Sequence, residues 1–161
     1  MHLEIERRFL ITQVPMHLIQ QVGFESIQQQ YLADTGEWVM RLRMVSRPRL
    51  PDRYWLTLKR PAGGCSSHEI ETEVSSCVFA SLQAHAGPAL RKKRFYIPHH
   101  DGLMIELDQF FNVDGAPGLW IAEVELPHAD HPLILPDWFG REITGERGFS
   151  NFALAQRVRA E

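Results

Sequence analysis

At 161 residues the chain suits one domain, 1–161, and leaves little room for two. Its 44% hydrophobic content supports a full core, and a net charge of −3 lacks the basic excess of a nucleic-acid-binding surface. The opening MHLEIERRFL has no apolar h-region and no stretch is apolar enough to span a bilayer, so neither a secretory signal nor a membrane partner is expected.

The elements follow in chain order. Period-two alternation predicts strands over 3–11, 26–33, 37–46, 53–60, 68–75, 90–98, 103–111 and 118–126. Turn signals such as Thr35-Gly36, Pro61 to Gly64, Pro98 to Gly102 and Asp114 to Gly118 separate them. A short helix is expected over 15–22, with Pro15 near its first turn. A second is expected over 75–86, where Val78, Phe79 and Leu82 share a face, and a third from Ser150, an acceptable N-cap, toward Arg159. Many strands and few helices make a β-rich α+β fold. Cys65 and Cys77 lack a partner pattern and read as free thiols, which points to a reducing, cytoplasmic setting.

What alternates along these strands carries the chemistry. Glu4, Glu6 and Arg8 share one face of the first strand, opposite Leu3, Ile5, Phe9 and Ile11. Later strands repeat the design with Arg41 and Arg43, Lys59, Glu69 and Glu71 (then Glu73), Lys92 and Arg94, Glu106 and Asp108, and Glu123 and Glu125. A sheet with its charged face in water explains any one strand. It does not explain the sorting, because solvent faces mix polar types and like charges placed opposite one another repel. A closed barrel with the charged face inward explains it better. The apolar face then packs outward against helices or a partner, a homodimer among the options.

Such a lumen gathers eight carboxylates (Glu4, Glu6, Glu69, Glu71, Glu106, Asp108, Glu123, Glu125) and six bases (Arg8, Arg41, Arg43, Lys59, Lys92, Arg94). Carboxylate oxygens suit Mg²⁺ or Mn²⁺. Guanidinium and ammonium groups suit phosphate oxygens. Unpaired interior charge is costly, and a polyanion with metal ions satisfies both sets together.

These residues resemble the CYTH, or triphosphate tunnel metalloenzyme, superfamily. The resemblance runs from Glu4-Ile5-Glu6-Arg7-Arg8, similar to the ExExK signature, through Tyr31-Leu32, Arg41-Leu42-Arg43, Thr57-Leu58-Lys59 and Glu69-Ile70-Glu71. It continues through Lys92-Lys93-Arg94-Phe95, Glu106-Leu107-Asp108 and Glu123-Val124-Glu125 to Pro136–Thr144 and Ser150-Asn151. The resemblance implies an eight-stranded antiparallel closed barrel with a few flanking helices, a small-molecule triphosphate substrate, and Mg²⁺ or Mn²⁺. It implies metal ligation by Glu4, Glu6, Asp108, Glu123 and Glu125, and a phosphate clamp of Arg8, Arg41, Arg43, Lys59, Lys92 and Arg94. Glu69, Glu71 and Glu106 complete the lumen. The short stand-alone form looks most like the bacterial inorganic triphosphatases. A class IV adenylyl cyclase is the enzymatic alternative.

The signature lysine is Arg8 here. In some members of the family that lysine works with a tyrosine matching Tyr31, so the resemblance puts catalytic roles on Tyr31 and Arg8. Guanidinium stays charged and binds phosphate without cycling a proton, which keeps a non-catalytic triphosphate or polyphosphate binder as an alternative. Glu142, Trp138 and Asn151 read as structural residues closing a barrel end. His99-His100 reads as a hairpin turn, His128 and His131 as part of an irregular loop, and Gly63-Gly64 as a turn lacking the Walker A pattern.

Overall fold

In the computed structural model, which describes residues 1–159, every expected strand forms. They are β1 (His2–Leu10), β2 (Phe24–Asp34), β3 (Val39–Ser46), β4 (Arg53–Gly63), β5 (Ser66–Val74), β6 (Leu90–Pro98), β7 (Met104–Phe110) and β8 (Trp120–Glu125). The last two positions of the expected 1–161 domain lie outside the described residues. All neighbours pair antiparallel, in the closed order β1-β5-β4-β3-β2-β6-β7-β8. Closure leaves no exposed ladder and turns one face of every strand into a lumen.

The seam is where the site is made. One edge of β1 pairs with β5 over His2 to Ile5, and its opposite edge pairs with β8 over Glu6 to Leu10. Past Ile5, the β5-side edge would be bare. The segment 140–143 covers it: Gly140 N–H donates to Leu10 O (2.9 Å), Leu10 N–H to Arg141 O (2.9 Å) and Ile143 N–H to Arg8 O (2.8 Å). Gly140 is required at this crossing, since a Cβ there would sit 2.5 Å from Leu10 O.

Two apolar clusters hold the barrel. Outside the wall, Phe9, Ile97, Ile105, Leu107, Ala122 and Val124 are buried beneath Leu18 and Ile19 of α1 (Met16–Ile19) and beneath Trp138 and Phe139. The Phe9 and Phe139 ring centroids lie 4.8 Å apart. Burying each such side chain contributes about 1.5–3 kcal/mol. The second cluster is inside. Leu90, Phe110 and Ile121 share the lumen face with the charged residues two positions along their strands, and they pack with Ile143, Leu154 and Ala155. Leu154 and Ala155 come from α3 (Asn151–Ala155), which therefore fills one end of the barrel with apolar side chains.

The helices are shorter than the pattern suggests. α1 stops at Ile19 because one turn already seats Leu18 and Ile19 on the wall, and β2 begins four residues after Gln20. α2 (Ser76–Gln83) starts as expected, with Ser75 Oγ accepting from Val78 N–H (3.2 Å). It buries Phe79 against Tyr54 but leaves Val78 exposed. α3 is capped by Ser150 as expected and ends at Ala155 rather than running toward Arg159. There the chain extends so that Val158 bridges to Val113 and Arg159 N–H donates to Asn112 O.

Candidate active site

Strand register determines which charges meet. Because β1 straddles the seam, its three lumen-facing charged residues serve two sides of the lumen. Glu4 faces β5 and β4, where it accepts from Ser67 Oγ (3.2 Å) and pairs with Lys59 Nζ. Lys59 also lies 3.7 Å from Glu6 and 3.9 Å from Glu69, its register partner. Arg8 faces β8 and donates from Nε to Glu123 Oε1 (3.2 Å).

On the β3–β4–β5 wall, Glu71 collects the clamp. It accepts from Arg43 Nη2 (3.0 Å) and from Thr57 Oγ1 (2.7 Å), and Arg41 Nη2 lies 3.6 Å away. On the β6–β7–β8 wall, Asp108 is fully buried. It takes Lys92 Nζ at 2.6 Å and both Nε and Nη2 of Arg94 at 2.7 and 2.8 Å. Arg94 also reaches Glu123 Oε2 (3.1 Å) and pairs with Glu106. Asp108, expected among the metal ligands, thus has both oxygens on bases.

The remaining expected residues divide. Glu125 stands at the rim, its side chain 59% exposed and 3.2 Å from His2. Tyr31 faces Arg41 across the β2–β3 register, and its hydroxyl accepts from Gln29 Nε2 (3.3 Å). Its ring stands edge-on to Phe152 of α3 at 5.1 Å, within the apolar end of the barrel. Burial pushes its hydroxyl pKa up, so it stays protonated.

Charge balance across the lumen is uneven. Burial alone would raise the Glu123 carboxyl, yet Arg94 and Arg8 hold it well below the ordinary carboxylate range. Glu6 is the opposite case. Burial, and next the Glu123 carboxylate, push it up to about 7. On the basic side, among the described residues, three buried lumen-facing guanidinium nitrogens have no hydrogen-bond partner: Arg8 Nη2, Arg41 Nε and Arg43 Nε. Buried donors are nearly always satisfied, so each marks a place for an acceptor.

Several lumen residues carry no charge pattern and escape a reading by sign. Thr57 and Gln29 are almost fully buried, and Thr57 and Ser67 bond Glu71 and Glu4. Thr57 and Ser67 each lie two positions from a charged lumen residue of their own strand, and Gln29 shares the β2 face of Tyr31, opposite Arg43, so alternation alone could have found them. Glu25, on the same face of β2, is a buried carboxylate that accepts from Tyr96 Oη (2.5 Å). Trp55 lines the open mouth beneath Arg53, whose guanidinium carbon is 4.9 Å from the ring centroid.

The donor set fits a hard divalent cation. It is all carboxylate oxygen, and Glu6, raised to about 7 by burial and next by the Glu123 carboxylate, would be drawn back to its ionised form by a bound cation. Among the described residues no three such side chains already converge on one point. Glu4 and Glu123 are instead turned onto Lys59, Arg8 and Arg94.

The outlying histidines stay apart from this lumen. His99 bonds Ile134 O (2.7 Å) and, with His100, builds the β6–β7 turn as expected. His128 and His131 lie in the irregular loop, rings 5.2 Å apart. Cys65 and Cys77 are free thiols, and among the described residues no helix is long and apolar enough to cross a membrane.

Comparison with known proteins agrees with this geometry. The CYTH domain family matches residues 2–157. The inorganic triphosphatase of Nitrosomonas europaea is 33% identical over 159 residues, covering 96% of this chain and 98% of that protein. The inorganic triphosphatase of Acetivibrio thermocellus is 28% identical, covering 95% and 93%. The crystal structure of the inorganic triphosphatase NE1496 superposes with a TM-score of 0.66 at 29% identity, covering 99% of both chains. A Hippeastrum putative adenylyl cyclase, described as having a dominant triphosphatase activity, shares the fold at TM-score 0.54 and 15% identity. With a family match over nearly its whole length and a closed barrel carrying the signature residues inside, the chain belongs to the CYTH domain family.

Proposed function

We propose that this protein is a divalent-metal-dependent hydrolase of inorganic triphosphate. The observation that carries the reading is the set of unpartnered guanidinium nitrogens of Arg8, Arg41 and Arg43 on the lumen face, in a lumen where burial and a neighbouring carboxylate keep the Glu6 carboxyl raised. Two relatives named inorganic triphosphatases, aligned over nearly the whole chain, support it.

Glu4, Glu6, Glu123 and Glu125 would hold Mg²⁺ or Mn²⁺, which supplies charge neutralisation and a more acidic water. Arg41, Arg43, Lys59, Lys92 and Arg94 bind the phosphate oxygens and keep the chain in line. Their orientation is fixed beforehand by Glu71, Glu4 and Asp108, so little reorganisation is needed during reaction. Arg8 binds a phosphoryl group with its free Nη2. Tyr31 faces Arg41 across the register as a neutral hydroxyl held by Gln29. Water adds to a terminal phosphorus, the bridging P–O bond breaks, and diphosphate and orthophosphate result.

The test is phosphate release and cyclic-nucleotide formation, measured side by side on tripolyphosphate and ATP with Mg²⁺, Mn²⁺ or chelator. Tripolyphosphate hydrolysis abolished by chelator is expected. Cyclic nucleotide as the main product, or full activity in chelator, would overturn the assignment.

A further inference from the structure

Beyond the six expected bases, Arg47 and Arg53 also line the open mouth; Arg53 pairs with the half-exposed Glu73, whereas Arg47 is held by a buried carboxylate. Arg47 follows β3 directly, and its guanidinium is anchored on Glu25, with Nε at 2.5 Å from Oε1 and Nη2 on the same oxygen. The other Glu25 oxygen takes the Tyr96 hydroxyl. The Glu25 side chain is only 7% exposed while that of Arg47 is 49% exposed, so a buried carboxylate holds a half-exposed cation from below. This repeats the arrangement of the lumen clamp, where Glu71 anchors Arg43 and Asp108 anchors Arg94. Arg47, Arg43 and Arg94 line one cavity of about 200 Å³ at the mouth, continuous with the clamp. Both contacts to Glu25 use one edge of the guanidinium, which leaves its Nη1 side for a ligand.

We infer, on the triphosphate reading of the lumen, that Arg47 is a specificity-determining residue that binds the outermost phosphate of an inorganic chain. The opposite end of the barrel is filled by Leu90, Phe110, Ile121 and Leu154, so any substituent on the chain must project through this mouth. An inorganic triphosphate presents there a terminal phosphate carrying up to two charges. A nucleoside triphosphate presents an esterified phosphate with one charge and one fewer free oxygen. A doubly anchored guanidinium favours the former. Glu25 and Tyr96 are positioning residues acting through Arg47.

The experiment is steady-state kinetics of Arg47→Ala and Arg47→Lys on tripolyphosphate and ATP, with Arg49→Ala, exposed on the same loop, as control. Arg47→Ala is expected to raise KM for tripolyphosphate about tenfold with kcat within about twofold, and to raise KM for ATP about threefold or less. Arg47→Lys should recover part of the loss, and Arg49→Ala should match the wild type. In the Glu25→Gln background the effect of Arg47→Ala should shrink, as expected if Glu25 works through Arg47. Calorimetric binding of tripolyphosphate without metal gives the same comparison independent of turnover. An unchanged KM and affinity in Arg47→Ala, with normal wild-type turnover, sinks this inference alone. A wild type that neither binds nor hydrolyses tripolyphosphate sinks the triphosphatase reading with it.

Discussion

At the residue scale, Glu6 and Arg8 carry the clearest consequences. Glu6 has its folded pKa raised from 4.5 to about 7, so the folded protein holds a proton there that the unfolded chain has released. Its contribution to stability is complete below the ordinary carboxyl range and is lost as pH rises through 7. Metal-free wild type should therefore lose melting temperature between about pH 5 and 8 through this group. Glu6→Gln, a neutral mimic, should flatten that slope, melt higher than wild type at pH 8 in chelator, and gain nothing from Mg²⁺. Thermal melts across pH, with and without metal, decide it. Arg8 both pairs with Glu123 and donates from Nη1 to Phe149 O (2.7 Å), just before α3. Arg8→Ala should cost about 1–3 kcal/mol in urea unfolding and weaken triphosphate binding at least tenfold. Wild-type binding in a folded Arg8→Ala protein would make this residue a spectator.

At the element scale, the 140–143 strap and α3 are the parts on which the site leans. The strap completes the bare edge of β1 and accepts no side chain at Gly140. Gly140→Ala should destabilise by about 1–3 kcal/mol, because the clash is with backbone that cannot swing aside. It should also reduce turnover, since Thr144 Oγ1 and Ile143 hold the backbone of Arg8. Chemical denaturation and tripolyphosphate hydrolysis of that variant check both effects. α3 is too short to be stable alone and depends on its packing. Leu154→Ala, at a fully buried position of the apolar end, should cost about 2–5 kcal/mol and loosen Tyr31 through Phe152. A loss below 0.5 kcal/mol by denaturation would show that α3 does not close the barrel end.

At the scale of the whole molecule, the barrel is a container for charges that do not fully satisfy one another. Ligands that complete the balance should stabilise it. Tripolyphosphate at 100 times its Kd should add about 2.7 kcal/mol to apparent stability. At one fixed tripolyphosphate concentration the gain should be larger with Mg²⁺ than in chelator, because the ion relieves the carboxylates around Glu6 and lowers the Kd. The melting temperature measured at fixed pH with each combination tests this, and equal shifts with and without Mg²⁺ would contradict metal binding in the lumen. Phosphate alone at the same ionic strength is the control for screening.

Alternation and sign, both properties of the sequence, determined the eight strands, the direction of their charged faces and the sorting of acids from bases. Those are local facts: side chains two residues apart share a face whatever the chain does later. Which acid meets which base is non-local. Glu4 finds Lys59 and Arg8 finds Glu123 only because β1 straddles the seam, and no spacing within β1 encodes that. The same holds for Asp108, whose oxygens are claimed by its neighbours on β6, and for Glu125, left at the rim where β8 ends. Glu25 and Arg47 lie 22 residues apart and join only when β2 and β3 align at the mouth. Apolar Leu90, Phe110 and Ile121 lie on the charged face, and only the return of α3 to that end makes them a plug. Local chemistry decided what each strand could contribute; closure of the barrel decided which contributions met.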